Sequence, residues 1–198
     1  MIYLQLSRGV ADRNFVFPPN GTPTTLVLFT QAKNVLENPA AEAGISVIFV
    51  PDLRWGRRDI KTVQLLYPSM AKMEAKSRGA DDAWLVQDGL VTEASSATSH
   101  IVTADGLLVT RDLSHALLSG ITRASVLALA AEHGITVEER AFTPQEARDA
   151  REAFITSATN FVVPVVRIEG EPVGDGKPGP LTRKLRKVYV ETRRAAAI

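Results

Sequence analysis

Between residues 83 and 110 the chain passes through four short segments suited to β-strands, at 83–87, 90–93, 99–104 and 107–110. Two of the breaks between them carry Asp88-Gly89 and Asp105-Gly106. An Asp-Gly pair supplies the positive φ that a tight hairpin turn requires. Strands this short and this closely joined pair with their sequence neighbours, so this stretch reads as antiparallel sheet.

The flanking segments add helices and further strands. Strands are expected at residues 2–6, 24–30 and 45–50, the last stopped by Pro51-Asp52. A helix is expected over 69–79, opened by Ser69 or Pro68 and closed by Gly79. A second helix covers 122–133, with Gly134 as its C-terminal stop. A strand at 135–140, a helix at 144–151 and strands at 153–156 and 161–168 follow, and a final helix spans about 180–193. The pattern is α+β, mixed and largely antiparallel, without the strand–helix alternation of a doubly wound sheet. The stretch 51–58 is the expected break between domains, giving a partial N-terminal domain at 1–51, a linker at 52–58 and a C-terminal domain at 59–198. A strand that begins at residue 2 needs neighbours, so the chain is expected to enter in the middle of a sheet.

Charge narrows the function classes. Lys plus Arg number 23 against 22 Asp plus Glu, a net charge of +1. That balance offers no electrostatic footprint for nucleic acid or an anionic membrane, and points to a small molecule or another protein as partner. There is no cysteine, which removes disulfides, thiolate metal sites and cysteine nucleophiles. The N-terminal residues lack the pattern of a signal peptide, no apolar run is long enough to span a bilayer, and a cytoplasmic location is expected.

Four signals, each weak alone, ask for a common explanation. Lys61 has apolar neighbours on alternate sides, and partial desolvation would lower its pKa and free an amine nucleophile. A lone lysine of this kind is more often a snorkelling surface residue. Glu93 ends the strand that starts at Leu90, where a carboxylate could hold a protonated pyridine nitrogen; alone it reads as an exposed turn glutamate. Gly120-Ile121-Thr122-Arg123 opens the second helix, where free N–H groups and the dipole favour a phosphate, though any helix start shares these features. Thr156-Ser157-Ala158-Thr159 offers hydroxyls in a turn, for phosphate oxygens or simply for water. The histidines at 100, 115 and 133 show no metal-ligand spacing and read as structural or surface residues. An amine, a carboxylate and two phosphate-binding turns form the set that a phosphorylated pyridine aldehyde needs.

The segments Asp52-Leu53-Arg54-Trp55 and Asp59-Ile60-Lys61-Thr62-Val63-Gln64 resemble the lysine segment of the fold-type IV enzymes that depend on pyridoxal 5'-phosphate. Asp88 to Ser96, Leu118 to Arg123, Glu152 to Thr159 and Gly176-Lys177-Pro178-Gly179-Pro180 continue the resemblance in order. It is nearest to the D-amino-acid aminotransferases. The resemblance implies their fold: part of an N-terminal α/β domain, then a complete C-terminal mixed, barrel-like sheet with helices. It implies Lys61 as the Schiff-base lysine and proton carrier, and Glu93 on the pyridine nitrogen. Phosphate contacts would come from Ile121, Thr122, Ser157, and Ala158 or Thr159. Arg13, in the loop Arg8 to Phe15, falls where D-amino-acid aminotransferases place an arginine for the substrate carboxylate, a planar fork suited to two-point contact. Phe15 stands where some members carry histidine. That loop serves the other subunit's site, so a homodimer is implied.

The activity so implied is transamination of a D-amino acid, D-alanine, with 2-oxoglutarate by a ping-pong cycle. Branched-chain L-amino-acid aminotransferase and aminodeoxychorismate lyase are alternatives within the same fold. Family members carry a substantial stretch before the strand that starts at Ile2, including a phosphate-binding arginine and a substrate tyrosine. A truncated, non-catalytic remnant that binds the cofactor is therefore the alternative from a different class.

Overall fold

A computed structural model describes residues 1–196 and divides them into two units, Met1–Val35 and Leu36 onward. In the first unit, β1 (Ile2–Ser7) and β2 (Thr25–Thr30) form an antiparallel ribbon running from the Ile2–Thr30 pair to the Ser7–Thr25 pair. Tyr3 stacks on Phe29 at 4.7 Å between ring centroids. Leu4, Leu6, Leu26 and Leu28 on one face and Tyr3, Val27 and Phe29 on the other are all exposed, so this ribbon buries neither face within its own unit.

The second unit holds a nine-stranded mixed sheet. Its strands are β3 (Ile45–Pro51), β4 (Asp82–Gln87), β5 (Leu90–Ala94), β6 (Thr98–Val102), β7 (Leu108–Thr110), β8 (Val137–Glu139), β9 (Glu152–Ser157), β10 (Phe161–Ile168) and β11 (Glu171–Pro172). Their order is β5-β4-β3-β10-β9-β6-β7-β8, with β11 beside β10. The pairs β3–β4, β3–β10 and β7–β8 are parallel and the others antiparallel. The two Asp-Gly turns lie where the sequence puts them: Asp88 has φ 53° and Gly89 φ 77°, and Gly106 has φ 91°.

The expected boundary at residues 52–58 differs from this division. Ile45–Pro51 is bonded on both sides, to β4 and β10, and so belongs to the core of the larger unit. A parallel strand finds its partners across a long crossover, which local sequence does not reveal. Two elements lie outside the sequence-based expectations: β11, and α1 (Pro39–Ala43), where the Asn38 side chain accepts from the Ala40 N–H and Pro39 opens the helix. The helix expected from Ser69 starts one turn earlier, as α2 (Leu66–Ser77). The helix expected over 144–151 stops at Arg148; this α4 (Pro144–Arg148) is opened by a capping box between Thr143 and Glu146.

Helices α3 (Ile121–Glu132) and α5 (Pro180–Ala195) cover one part of the sheet. Val126, Leu129 and Ala130 of α3 and Leu185 and Tyr189 of α5 pack with Leu108, Phe154 and Val162. A second cluster gathers Trp84, Val91, Ile101, Val109, Phe142 and Val163. Helix α5 carries no cap of its own. Glu152 on β9 supplies one, accepting from the N–H groups of Leu181 (3.0 Å) and Thr182 (2.8 Å) and from the Thr182 hydroxyl (2.8 Å). Gly179 is required there, because a Cβ would stand 2.1 Å from Glu152 Cδ.

Candidate active site

Lys61 lies in an irregular segment between β3 and α2. Its side chain is exposed and makes no hydrogen bond or ion pair among the described residues. The expected desolvation is absent from the structure, because the apolar neighbours Ile60, Val63 and Leu65 are themselves exposed. In a segment without strand pairing, alternation of apolar residues does not bury what lies between them. What the segment does have is an anchor: the Arg58 N–H donates to the His115 carbonyl at 3.0 Å.

Glu93 is buried, not exposed in a turn as its isolated sequence context suggests. Burial pushes its carboxyl above the usual carboxylate range, against the opposing charge and hydrogen bonding of Arg54. Arg54 Nη1 donates to Glu93, while Arg54 Nε and Nη2 reach Asp52 at 2.9 and 2.7 Å. Thr92 donates to the same Asp52 carboxylate at 2.7 Å. Burial works to raise the Asp52 carboxyl, yet these bonds to Arg54 and Thr92 hold it below the ordinary carboxylate range. Asp52 and Arg54 carry no role in the sequence reading; their i, i+2 spacing in an extended segment was the available signal.

The two phosphate-turn candidates come together. Gly120 opens α3 with no side-chain cap, leaving the Ile121 and Thr122 N–H groups at a bare helix start. A Cβ at Gly120 would lie 3.1 Å from the Thr98 hydroxyl, and Thr98 pairs in register with Thr156 at the edge of the second turn. Thr122 Oγ1 is buried without a partner. Ser157, Ala158 and Thr159 close the turn from β9 to β10, with Ser157 Oγ accepting from the Asn160 N–H at 3.3 Å. The Leu118 N–H, two residues before Gly120, lies 3.5 Å from Glu93 Oε2. Below the second turn, His100 is fully buried, stacked on Phe154 at 4.6 Å and bonded through Nε2 to Thr156 Oγ1 at 2.9 Å.

A cavity of about 270 Å³ beside the lysine segment is lined by Gly56, Arg58, Gln87, Arg111 and His115, and by none of the sequence-predicted residues. Arg13 lies in the first unit, exposed, its guanidinium 5.5 Å from the Phe15 ring centre.

The model of the family "Amino-transferase class IV" matches residues 1–168. The chain belongs to this family. This class IV aminotransferase chain is 40% identical over 186 residues to a D-alanine aminotransferase of Bacillus licheniformis, covering 93% of this chain and 64% of that protein. The chain thus spans less than two thirds of that relative's length. Among solved structures, the branched-chain amino acid aminotransferase of Escherichia coli superposes with a TM-score of 0.82 at 24% identity, over 96% of this chain and 64% of that one. The branched-chain amino acid aminotransferase of Thermobaculum terrenum, in its PLP-bound holo form, gives a TM-score of 0.79 at 26% identity, over 96% of this chain and 64% of that one. The fold is that of the fold-type IV aminotransferases, here in part. Structural neighbours in the family bind the pyridoxal cofactor.

The residues of this class IV chain fit that group. A buried carboxylate is available for a ring nitrogen, a bare helix start and an orphaned hydroxyl for phosphate, and an unengaged lysine amine for an aldehyde. No helix among the described residues is long and apolar enough to cross a membrane.

Proposed function

We propose that this chain carries the cofactor site of a D-amino-acid aminotransferase, which moves the amino group of D-alanine to 2-oxoglutarate and yields pyruvate and D-glutamate. The observation that carries the reading is the Glu93–Leu118 contact at 3.5 Å. It ties the acid for one end of a phosphorylated pyridine to the segment that opens the phosphate turn for the other end.

When bound, pyridoxal 5'-phosphate supplies an aldehyde for the amine and a ring that withdraws electrons from the substrate Cα. Lys61 Nζ would hold the cofactor through that aldehyde and, when free, would take the proton from the substrate Cα and return it. Glu93 keeps the proton on the ring nitrogen. Burial alone would push this carboxyl toward its neutral form, and the Arg54 guanidinium opposes that push, favouring the carboxylate that a protonated ring nitrogen needs. The N–H groups of Ile121 and Thr122, with Ser157, Ala158 and Thr159, would hold the phosphate. Arg13 binds the substrate carboxylate from the loop of a second subunit, which makes the working unit a homodimer. The 40% identity to a D-alanine aminotransferase, against 24% to 33% for branched-chain enzymes of known structure, supports the D-amino-acid choice.

Cofactor binding without turnover is the second reading, favoured by the exposure of Lys61, which no described residue orients. One experiment addresses both. Added cofactor should raise the visible absorbance band of a lysine-bound pyridoxal. Borohydride should then fix the cofactor on the peptide that contains Lys61. D-Alanine should bleach the band and release pyruvate. A band that survives Lys61→Ala refutes the lysine assignment. Turnover of L-leucine but not D-alanine refutes the substrate, and a stable band that neither amino acid bleaches establishes the second reading.

A further inference from the structure

The turn that closes β9 onto β10 contains a backbone outlier. Phe161 has φ 61°, in the left-handed region that glycine and asparagine favour. An aromatic side chain there is strained and persists only where its surroundings hold it. Strain of this kind collects at functional turns, and the residues just before it, Ser157 to Thr159, are the second phosphate-turn candidate.

What holds Phe161 is Arg186, in the second turn of α5. Its Nη1 donates at 2.9 Å to the carbonyls of both Asn160 and Val162, the residues on either side of Phe161. Its Nη2 donates to the Leu36 carbonyl at 3.2 Å. The guanidinium carbon lies 5.9 Å from the Phe161 ring centre, and that ring packs on Tyr189 of the same helix at 5.3 Å. A peptide group is planar, so holding the Asn160 carbonyl fixes the peptide that enters Phe161, and holding the Val162 carbonyl fixes the peptide one residue beyond it, bracketing the outlier. The restraint reaches the other side of the turn through the Asn160 N–H, which donates to Ser157 Oγ.

We propose that Arg186 is a positioning residue: from behind the turn it clamps the strained backbone in the one geometry in which Ser157, Ala158 and Thr159 can grip a phosphate. Arg186 itself does not touch that phosphate. The proposal rests on reading the turn as part of the cofactor's phosphate site. The planar fork matters as much as the charge, because one group must reach several carbonyls at once.

The test compares affinity for pyridoxal 5'-phosphate and for pyridoxal, which lacks the phosphate, in the full chain and in Arg186→Gln and Arg186→Lys. In the unaltered chain the phosphorylated form should bind far more tightly. Arg186→Gln should reduce that preference about tenfold, the scale of losing one charged hydrogen bond, with little change for pyridoxal. Arg186→Lys should restore part of it, and amide hydrogen exchange over residues 157–161 should be faster in Arg186→Gln alone. If both ligands weaken equally in the variants, Arg186 is only a staple for α5 and the proposal fails. If Arg186→Gln does not fold, the same ratio measured in Arg186→Lys decides. The unaltered chain judges the phosphate reading separately: equal affinity for the two ligands there rejects that reading, and with it the role given to Arg186.

Discussion

Arg54 and Glu93 form an ion pair inside the larger unit, their side chains only 11% and 8% exposed. The pair reaches across the chain from the segment before Lys61 to the end of β5, and Asp52 grips the same guanidinium from the other side. Each carboxylate alone would be costly to bury; with Thr92, Arg54 and Arg58, whose Nε lies 3.5 Å from Asp52, they form a network of two carboxylates and two guanidiniums.

Replacing Arg54 with leucine should therefore destabilise the protein by about 3–5 kcal/mol, the cost of leaving a buried charge unpaired. The loss should depend on pH. Glu93 already has a raised folded-state pKa through its burial, and without Arg54 it rises further. A raised folded-state pKa means stability that is present at low pH and lost as pH climbs through the folded value. Arg54→Leu should be nearer to the parent at about pH 5 than at about pH 8, and adding Glu93→Gln should recover part of the deficit at the higher pH. Urea denaturation at the two pH values measures this; an equal deficit at both would show that Glu93 does not carry the cost.

His100 gives a second pH dependence with the opposite sign. Burial, with a smaller contribution from the Arg123 charge, pushes its pKa down to about 3. The folded protein keeps the ring neutral, while the unfolded chain takes up a proton below the ordinary value of about 6.5. Stability from this residue is present above pH 6.5 and falls as pH drops toward 3, by about 1.4 kcal/mol per unit, so about 2 kcal/mol is lost by pH 5. Phenylalanine preserves the stacking on Phe154 but has nothing to protonate. The stability of His100→Phe should fall less steeply between about pH 7 and about pH 5 than that of the parent. Parallel curves would mean that the ring is reached by water or moves on protonation.

The contrast between these two residues shows what the sequence could convey. The Asp88-Gly89 and Asp105-Gly106 turns, the Gly120 start of α3 and the strand pair around Ser157 were legible because each is a local signal of turn chemistry or periodicity. The burial of Glu93 was not, because it is produced by Arg54 and Asp52, some forty positions earlier. The same holds for β3, whose neighbours β4 and β10 lie across long connections, and for the Glu152 carboxylate that caps α5. Asp52, Arg54 and Glu152 stand in recognisable motifs, but a motif names residues without saying which of them meet. Arg186 lies three residues beyond Arg183 on α5, in no motif, and only the carbonyls it binds reveal it.

Thr122 offers a test in which stability and ligand binding should move in opposite directions. Its hydroxyl is buried at the first turn of α3 and has no partner. An unsatisfied buried hydroxyl costs about 1–3 kcal/mol, whereas a methyl of similar shape costs little, so Thr122→Val should leave the cofactor-free protein as stable as before or more so. If the hydroxyl is kept for the cofactor phosphate, the same change should weaken pyridoxal 5'-phosphate binding about tenfold and leave pyridoxal binding nearly unchanged. Thr122→Ser, which retains the hydroxyl, should bind like the parent. Thermal melts without ligand and titrations with the two ligands provide both readouts. A valine variant that melts higher and still binds the phosphorylated ligand as the parent does would remove Thr122 from the phosphate site.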